Sequence, residues 1–249
     1  MSNCSQYNQF LTGGVDPSLF LLIYNENANV SMKIFLDSSD FYEIEEVAKL
    51  GFIDGVTTNP TLMSKQRKDP VEVIKRISDL FPETASISAE VVGGHHEEML
   101  AQAQPYIDHA QNITIKVPMT FEGLKACRYL TDLGRTVNVT LVFSPAQAIL
   151  ASKAGATYVS PFVGRVDDQS FDGITLIKEI AGIFDGQTDT QVLSASIRSV
   201  KHVIDSFKYG ADVVTMPFSV YNKMYNHILT DKGLALFDKD WAELQEKIK

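Results

Sequence analysis

The sequence predicts an α/β protein in which eight parallel strands alternate with helices, and three observations support this. Eight short apolar runs recur along the chain from Lys33 onward. Amphipathic stretches separate them; in residues 121–133, for example, apolar side chains recur with a nearly helical period. Glycines that are typical of helix C-termini stand just before four of the runs, at Gly51, Gly134, Gly155 and Gly210.

The order of these elements favours a barrel over an open sheet. The predicted strands are residues 33–37, 52–56, 86–91, 113–117, 136–142, 157–162, 191–195 and 212–216. Because each run is followed by a helical pattern, we expect a single (β/α)8 TIM barrel. The alternative is a doubly wound open sheet, but no Gly-x-Gly-x-x-Gly or Walker loop follows any strand to support it.

The first 31 residues differ in composition from the rest of the chain. They are rich in Asn, Ser and Gln and lack Lys and Arg. We expect a dispensable leader over residues 1–31, either disordered or added upstream of a natural start at Met32. Residues 32–249 would then form one barrel domain with a C-terminal helix near residues 238–248. The alternative is an ordered arm that packs on a neighbouring molecule through the apolar run at residues 19–24.

Composition and charge exclude several classes of partner. The formal net charge of −9 argues against nucleic acid, whose binders present a concentrated positive face. The longest apolar run is too short to cross a bilayer, and no basic residue precedes Lys33 as a signal peptide would require. Cys4 and Cys127 are interpreted as free thiols in a reducing compartment, so we expect a cytoplasmic protein.

Side-chain alternation in the fourth predicted strand places a lysine inside the barrel. Ile113, Ile115 and Val117 share one face of this strand, and Thr114 and Lys116 share the other. The polar face should point inward, with the lysine near the carboxyl end, as the only lysine at an inward strand position. Burial of an ammonium group is costly, which favours the neutral, nucleophilic amine.

Polar residues also stand near the carboxyl ends of the other predicted strands. With the lysine they account for seven strands, and barrel enzymes build their active sites at that face. The ring therefore predicts an active site. Its other polar members are Asp37, Asn59, Ser86, Ser88, Glu90, Asn138, Thr140, Ser160, Ser194 and Ser196, and Phe162 shares the inward parity of Ser160.

Two arginines lie just beyond adjacent strands. Arg165 follows the sixth predicted strand, and Arg198 follows the seventh. A guanidinium group binds phosphate in a bidentate geometry, so this pair could hold a phosphorylated ligand.

Metal chemistry is not expected from the histidines. All five fall on helical patterns, and none follows a strand. His95 and His96 are adjacent, so they cannot turn toward one metal from the same face of a helix. We interpret them as a solvated helix start.

Five motifs, in order and each at a strand end, resemble the signatures of the transaldolase family. The similarity spans residues 33–241. The motifs are VTTNP (56–60), IKVP (115–118), NVTLVFS (138–144), SPFVGR (160–165) and ASIR (195–198).

The resemblance implies a class I aldolase-like barrel that needs no cofactor. Such an enzyme transfers dihydroxyacetone from sedoheptulose 7-phosphate or fructose 6-phosphate to glyceraldehyde 3-phosphate or erythrose 4-phosphate, in the pentose phosphate pathway. Lys116 would form the Schiff base, and Asp37 would take the C4 hydroxyl proton. Glu90 and Thr140 would hold the water that shuttles protons.

The resemblance also implies which residues bind the substrate. Two amides would hold the hydroxyls of the three-carbon unit, a serine would line the path to the phosphate, and three residues would hold the phosphate itself. These are, respectively, Asn59 and Asn138; Ser160; and Arg165, Ser196 and Arg198.

The chain resembles the compact branch of this family, which also contains fructose-6-phosphate aldolases. Those aldolases carry Gln, Tyr and Lys at the positions of Glu90, Phe162 and Arg198, so the three residues here match the transaldolase side. Aldol cleavage of fructose 6-phosphate and a non-catalytic sugar-phosphate-binding barrel remain the alternatives. The compact branch also suggests a ring-based homo-oligomer, for example a decamer.

Overall fold

The computed structural model describes residues 32–248, and within them eight parallel strands close into a barrel. Each strand pairs with the next in sequence, and the last pairs with the first. This confirms the predicted (β/α)8 barrel. The strands are β1 (Lys33–Asp37), β2 (Gly55–Thr57), β3 (Ser86–Glu90), β4 (Ile113–Pro118), β5 (Val137–Val142), β6 (Tyr158–Pro161), β7 (Gln191–Ser194) and β8 (Val213–Met216).

Helices surround the barrel and connect its strands. The predicted leader and its alternative lie outside the described residues. Within those residues, no helix combines the length and apolar character that crossing a membrane requires. The helices are α1 (Phe41–Ala48), α2 (Pro60–Gln66), α3 (Pro70–Ser78), α4 (His96–Ile107), α5 (Phe121–Asp132), α6 (Pro145–Lys153), α7 (Val163–Asp167), α8 (Gly173–Phe184), α9 (Val200–Lys208), α10 (Phe218–Lys223) and α11 (Ile228–Lys247).

Local sequence signals fix where the helices begin and end. The side chains of Asp40 and Thr120 accept backbone N–H groups at the starts of α1 and α5. The four glycines predicted at helix ends all have positive φ; at Gly134, which follows the C-cap of α5, φ is 75°. Only glycine adopts this region without a steric penalty, so these helices end where the sequence predicts.

Strand β2 begins later than the sequence predicts. The apolar run suggested residues 52–56, whereas the strand spans Gly55–Thr57. The Phe52 side chain is 48% exposed, and the Asp54 carboxylate accepts the Ile34 N–H at 2.8 Å. Phe52 therefore belongs to the connection from α1, and the Asp54 side chain takes the place of a backbone partner at the start of the ladder.

An apolar plug fills part of the amino-terminal half of the barrel interior. Phe35, Tyr158, Leu193 and Val213 pack together there, and the rings of Phe35 and Tyr158 meet edge to face with centroids 5.8 Å apart. Gly55 leaves room for this packing, since a Cβ there would lie 2.9 Å from the Phe35 ring and 2.3 Å from the Ser86 carbonyl oxygen. The plug closes the barrel below its carboxyl-terminal face.

We predict that Gly55→Ala destabilises the protein by about 1–3 kcal/mol, because the added methyl group overpacks the interior. Urea-induced unfolding measures the change in free energy. Gly182→Ala is the matched control: no atom lies within 4 Å of a Cβ at this α8 position, so the loss of backbone freedom should stabilise by about 0.5–1 kcal/mol. Equal stability of the Gly55→Ala variant and the wild type would contradict the packing argument.

Candidate active site

A polar pocket of about 110 Å³ lies at the carboxyl ends of the strands. Seven of the eleven predicted site residues line it, and they come from strands that are distant in sequence. Three further lining residues belong to β2, β8 and the segment after β7. The lining residues are Asp37, Thr57, Asn59, Lys116, Ser160, Phe162, Arg165, Ala195, Ser196 and Thr215.

Lys116 lies inside the barrel near the end of β4, as the alternation predicts, and only 5% of its surface is exposed. Its Nζ atom is 2.8 Å from Glu90 Oε2 and donates a hydrogen bond to the Thr58 carbonyl oxygen at 3.0 Å. Glu90 and Lys116 are register partners in the parallel β3–β4 ladder, so the backbone itself places the two charges side by side. The ammonium is thus buried but compensated.

Asp37 brings a second carboxylate to this pocket. It accepts a hydrogen bond from Thr57 Oγ1 at 2.8 Å, and Thr57 in turn lies 2.6 Å from Thr215 Oγ1. Burial raises the pKa of Asp37; the nearby Lys116 charge and the Thr57 hydrogen bond oppose this rise, and Glu90 adds to it. This carboxyl group therefore takes up a proton more readily than an ordinary aspartate.

Thr57 and Thr215 also belong to the candidate site, although the sequence did not lead us to predict them. Both have the same inward parity as Asp37, and both line the pocket. Thr215 is the only polar residue of β8, within Val213-Val214-Thr215-Met216. That isolated hydroxyl in an apolar strand was the available signal, and it completes a ring to which all eight strands contribute.

Two asparagines flank the pocket in different ways. Asn138 is fully buried: its Oδ1 accepts from Ser160 Oγ at 2.7 Å, and its Nδ2 donates to Ser88 Oγ at 3.4 Å. Asn59 caps helix α2, where its Oδ1 accepts the Leu62 N–H at 3.0 Å. The amide nitrogen of Asn59 is therefore the group that can face a ligand.

Thr140 lies beside the pocket at a distortion of β5. The β5–β6 register shifts between Val139 and Val142, and Leu141 adopts a left-handed φ of 63°. Thr140 is buried, and its Oγ1 has no hydrogen-bond partner within the described part of the chain. A buried hydroxyl without a protein partner is costly unless it binds water or a ligand.

The segment after β6 supplies an aromatic ring and a guanidinium. Phe162 packs on the interior plug and against Phe143, with ring centroids 5.7 Å apart. The Arg165 Cζ atom lies 4.9 Å from the Phe162 ring centroid, so the guanidinium stacks over the ring at the pocket mouth. Arg165 therefore presents a second positive charge to the pocket, besides that of Lys116.

Arg198, the other predicted phosphate ligand, is turned away from the pocket lining. Its guanidinium forms a bidentate pair with Asp168, in which Nη2 and Oδ2 are 2.5 Å apart. Ser196, two residues earlier, does line the pocket and has a φ of 58°. The two predicted arginines thus lie near the same pocket mouth, but Arg198 is paired with a carboxylate whereas Arg165 stacks over an aromatic ring.

The structure corrects two predictions of inward parity. Ser194 was placed in the polar ring, but its hydroxyl bonds Ser206 Oγ of helix α9 at 2.8 Å and so faces the helices. Lys116 was predicted to be the only inward lysine, but Lys33 also points into the barrel, where its Nζ donates to Gln191 Oε1 of β7 at 3.2 Å. Lys33 lies at the opposite, amino-terminal end of the barrel.

The histidine pair marks the start of α4. His95 is the residue before the helix, and His96 is its first residue. His96, Glu97 and Glu122 form the one group of metal-compatible side chains within residues 32–248. Glu122 already accepts hydrogen bonds from Lys125 and His96, and these lower its pKa to about 2. The group lies outside the pocket that holds Lys116.

Sequence comparison identifies relatives along nearly the whole described range. The family model described as "Transaldolase/Fructose-6-phosphate aldolase" matches residues 34–248. The chain is 50% identical over 218 residues to a probable transaldolase of Paracoccus denitrificans, covering 87% of this chain and all of that protein. A probable transaldolase of Caulobacter sp. shows the same identity and the same coverage.

Structural comparison extends to more distant barrels. One solved structure, described as native KDPGal, has a TM-score of 0.52 and 17% identity over 74% of this chain and 81% of that one. An inosine 5′-monophosphate dehydrogenase of Legionella pneumophila has a TM-score of 0.54 and 13% identity over 75% of this chain and 58% of that one. At such low identity these matches support the barrel fold alone.

We predict that Asp37→Asn stabilises the protein at neutral pH by about 0.5–2 kcal/mol, the usual range when a functional compromise is removed. Burial raises the pKa of Asp37 in the folded state, so its ionised form costs stability at pH values above the unfolded-state pKa. The advantage of the variant should shrink as the pH falls and Asp37 becomes protonated. Urea unfolding at several pH values measures this difference.

The control is Asp132→Asn, which removes an exposed carboxylate that is paired with Arg128 on α5. Its effect should be small at every pH. If Asp37→Asn is instead less stable than the wild type at neutral pH, attraction to Lys116 outweighs the cost of burial.

Proposed function

We propose, from the premise that the chain belongs to the transaldolase/fructose-6-phosphate aldolase family, that it is a transaldolase acting through a Schiff base on Lys116. It would transfer dihydroxyacetone from sedoheptulose 7-phosphate or fructose 6-phosphate to glyceraldehyde 3-phosphate or erythrose 4-phosphate, a reaction of the pentose phosphate pathway. The observation that carries the proposal is the buried Lys116–Glu90 pair beside Asp37.

Imine formation begins with a proton transfer that this pair makes possible. Glu90 lies 2.8 Å from Lys116 Nζ, close enough to take a proton from the ammonium and leave a neutral amine. The amine adds to the C2 ketone of the sugar to give a carbinolamine. Glu90 then returns its proton to the carbinolamine hydroxyl, which leaves as water and gives an iminium. The positive charge of that iminium remains next to the Glu90 carboxylate, which stabilises it.

Cleavage requires a base on the other side of the substrate. Asp37 would accept the C4 hydroxyl proton while the C3–C4 bond breaks and its electrons pass to the iminium, giving an enamine and a free aldose phosphate. The raised pKa of Asp37 makes this carboxylate a stronger base than an exposed one. An acceptor aldehyde then re-forms a carbon–carbon bond, and Asp37 returns the proton.

The remaining polar groups would bind water and the carbon chain. The Thr140 hydroxyl, which lacks a protein partner in the described range, can hold the proton-shuttling water together with Glu90. Asn59 and Asn138 would hold the hydroxyls of the three-carbon unit. Ser160 would line the path to the phosphate, which Arg165, Ser196 and Arg198 would bind.

Self-association and location form part of the same proposal. Helix α11 has no buried side chain within residues 32–248, and its exposed apolar residues include Leu229, Phe237 and Trp241. An apolar helix face of this kind fits contact with another copy. The ring-based form that we propose, for example a decamer, comes from the resemblance to the compact branch of the family. The free thiol of Cys127 fits a reducing cytoplasm.

We predict that borohydride reduction in the presence of fructose 6-phosphate adds a stable three-carbon mass to the peptide that contains Lys116. Lys116→Ala should abolish the adduct and lower transfer by about 10⁴–10⁶-fold, as loss of a catalytic nucleophile does. Lys116→Arg should fail as well, because a guanidinium stays protonated. Peptide mass spectrometry and a transfer assay measure both effects.

The matched control is Lys33→Ala, which removes the other inward lysine from the opposite end of the barrel. It should keep the adduct on Lys116. An adduct that persists in Lys116→Ala would refute the assignment, and its absence from an active wild type would rule out the Schiff-base mechanism.

Two other functions are distinguished by the release of dihydroxyacetone and by the formation of the adduct. A fructose-6-phosphate aldolase would release free dihydroxyacetone without an acceptor aldehyde, whereas a transaldolase largely retains the enamine. A non-catalytic sugar-phosphate-binding barrel would form no adduct. The buried Lys116, with Glu90 and Asp37 around it, argues against pure binding, because arginines at the pocket mouth can bind the phosphate and the sugar hydroxyls need no buried ammonium.

Phe162 bears on the choice between transfer and cleavage, and we predict that Phe162→Tyr gains fructose 6-phosphate cleavage while losing part of its transfer rate. The phenyl ring lines the pocket and offers no proton, so the enamine persists until an aldehyde captures it. A tyrosine hydroxyl could order water or assist protonation of the enamine, and a single positioned acid–base group contributes about 10²–10⁴-fold. Dihydroxyacetone release without an acceptor measures the gain.

Phe143→Tyr, at the neighbouring ring, is the control and should change cleavage much less. A wild type that cleaves fructose 6-phosphate as fast as it transfers would favour the aldolase alternative.

A further inference from the structure

One of the proposed phosphate ligands already holds a carboxylate. Arg198 and Asp168 form two hydrogen bonds, from Nη1 to Oδ1 and from Nη2 to Oδ2, with their side chains about half exposed. The hydrogen bond from Arg198 lowers the pKa of the Asp168 carboxyl group, so this carboxylate stays ionised near neutral pH. Any phosphate that reaches Arg198 must therefore compete with an internal anion.

The backbone at Gly164 leaves room for the Arg198 side chain to reach Asp168. The Arg198 side chain crosses Gly164, where an added Cβ would lie 2.6 Å from Arg198 Nε and 2.4 Å from the Ser196 carbonyl oxygen. The Gly164 N–H donates to that same carbonyl oxygen at 3.0 Å. The segments after β6 and β7 thus fit closely together, and Arg198 is directed toward Asp168 at the end of α7.

Arg165 differs from Arg198 in this respect. It lines the pocket and stacks over Phe162, and no carboxylate within 4.0 Å pairs with it among the described residues. The Arg165 guanidinium therefore faces the pocket without a direct carboxylate partner in the described residues, although its charge also acts on Asp168, while the Arg198 guanidinium is paired with Asp168.

The proposed reaction gives this difference a use, and the inference rests on that reaction. Two aldose phosphates occupy the same phosphate site in turn, one leaving and one arriving, while the three-carbon unit stays on Lys116. The site must therefore release a phosphate in the middle of every cycle. Phosphate binding that is too tight would slow that exchange without helping bond cleavage.

We propose that Asp168 is a positioning residue that competes with the substrate phosphate for Arg198. When phosphate is bound, the guanidinium contacts the phosphate. When the phosphate leaves, Asp168 receives the guanidinium, so departure does not leave an unpaired charge. The carboxylate thereby sets the affinity of the site for phosphorylated substrates and favours exchange over retention.

The test is Asp168→Asn, which keeps the size of the side chain and removes its charge. The KM for fructose 6-phosphate, and the Kd for inorganic phosphate measured by calorimetry, should fall by about two- to five-fold, the scale of one exposed ion pair. The kcat for transfer should not rise, since release becomes slower. KM for an unphosphorylated donor should change less than KM for fructose 6-phosphate.

Two further variants make the result specific. Asp132→Asn removes the carboxylate of another exposed Arg–Asp pair, with Arg128, away from the pocket, and should leave phosphate affinity unchanged. Arg198→Met in the Asp168→Asn background should cancel the gain in affinity, because the effect acts through Arg198. A gain that survives Arg198→Met would overturn the proposal in favour of general electrostatics.

Weaker or unchanged phosphate binding in Asp168→Asn would also overturn it, since the carboxylate would then only orient Arg198. A wild type that does not bind inorganic phosphate would overturn the proposal as well. Calorimetry needs no turnover, so this result is separate from the fate of the proposed function, which fails if Lys116 forms no adduct.

Discussion

The buried ion pair between Lys116 and Glu90 is the interaction around which the site is organised. An ammonium inside a barrel is tolerated only if a partner compensates its charge, and the parallel register of β3 and β4 supplies that partner from the adjacent strand. Lys116 and Glu90 are not the only charged groups in this volume, however. Asp37 adds a second carboxylate to the same small volume, so one cation faces two anions, and burial raises the pKa of Asp37. The arrangement is poor for stability but suits a site that must pass protons among a lysine, a carboxylate and a substrate.

The barrel interior has two layers, and packing in one of them offsets the unfavourable electrostatics of the other. The layer at the amino-terminal end contains the apolar plug around Phe35 and Tyr158, with Gly55 leaving the space they need. The layer at the carboxyl-terminal end carries the polar ring. Because the polar side chains stand on strands that the plug holds in place, their positions are set by the backbone register. Phe162 belongs to both layers, since it packs on the plug and lines the pocket.

The sequence predicts most of this fold because the relevant signals are local. Period-two alternation is visible in a single strand, and it correctly turns Lys116 inward. The failures are non-local. The polarity of Ser194 gives no indication whether its partner is a substrate or Ser206 on a helix, and the structure shows the helix. Lys33 has inward parity too, but only the three-dimensional order of the strands shows that it pairs with a glutamine at the far end. Thr215 was overlooked because its strand otherwise consists of apolar residues.

The electrostatics of the pocket mouth could not be predicted from sequence for a related reason. The chain carries a formal charge of −9, which by itself would repel a phosphorylated substrate. That repulsion is screened within about 8–10 Å at physiological salt, so the groups at the mouth decide the local attraction. Arg165 and Arg198 meet there because they follow adjacent strands, and Asp168 follows one turn of helix after Arg165. The neighbouring carboxylate looks like ordinary surface charge in the sequence. In the fold it pairs with one of the two guanidinium groups, and under our proposal the mouth would therefore attract phosphate without binding it strongly. A transferase that exchanges one aldose phosphate for another at a single site would need a phosphate affinity of that moderate strength.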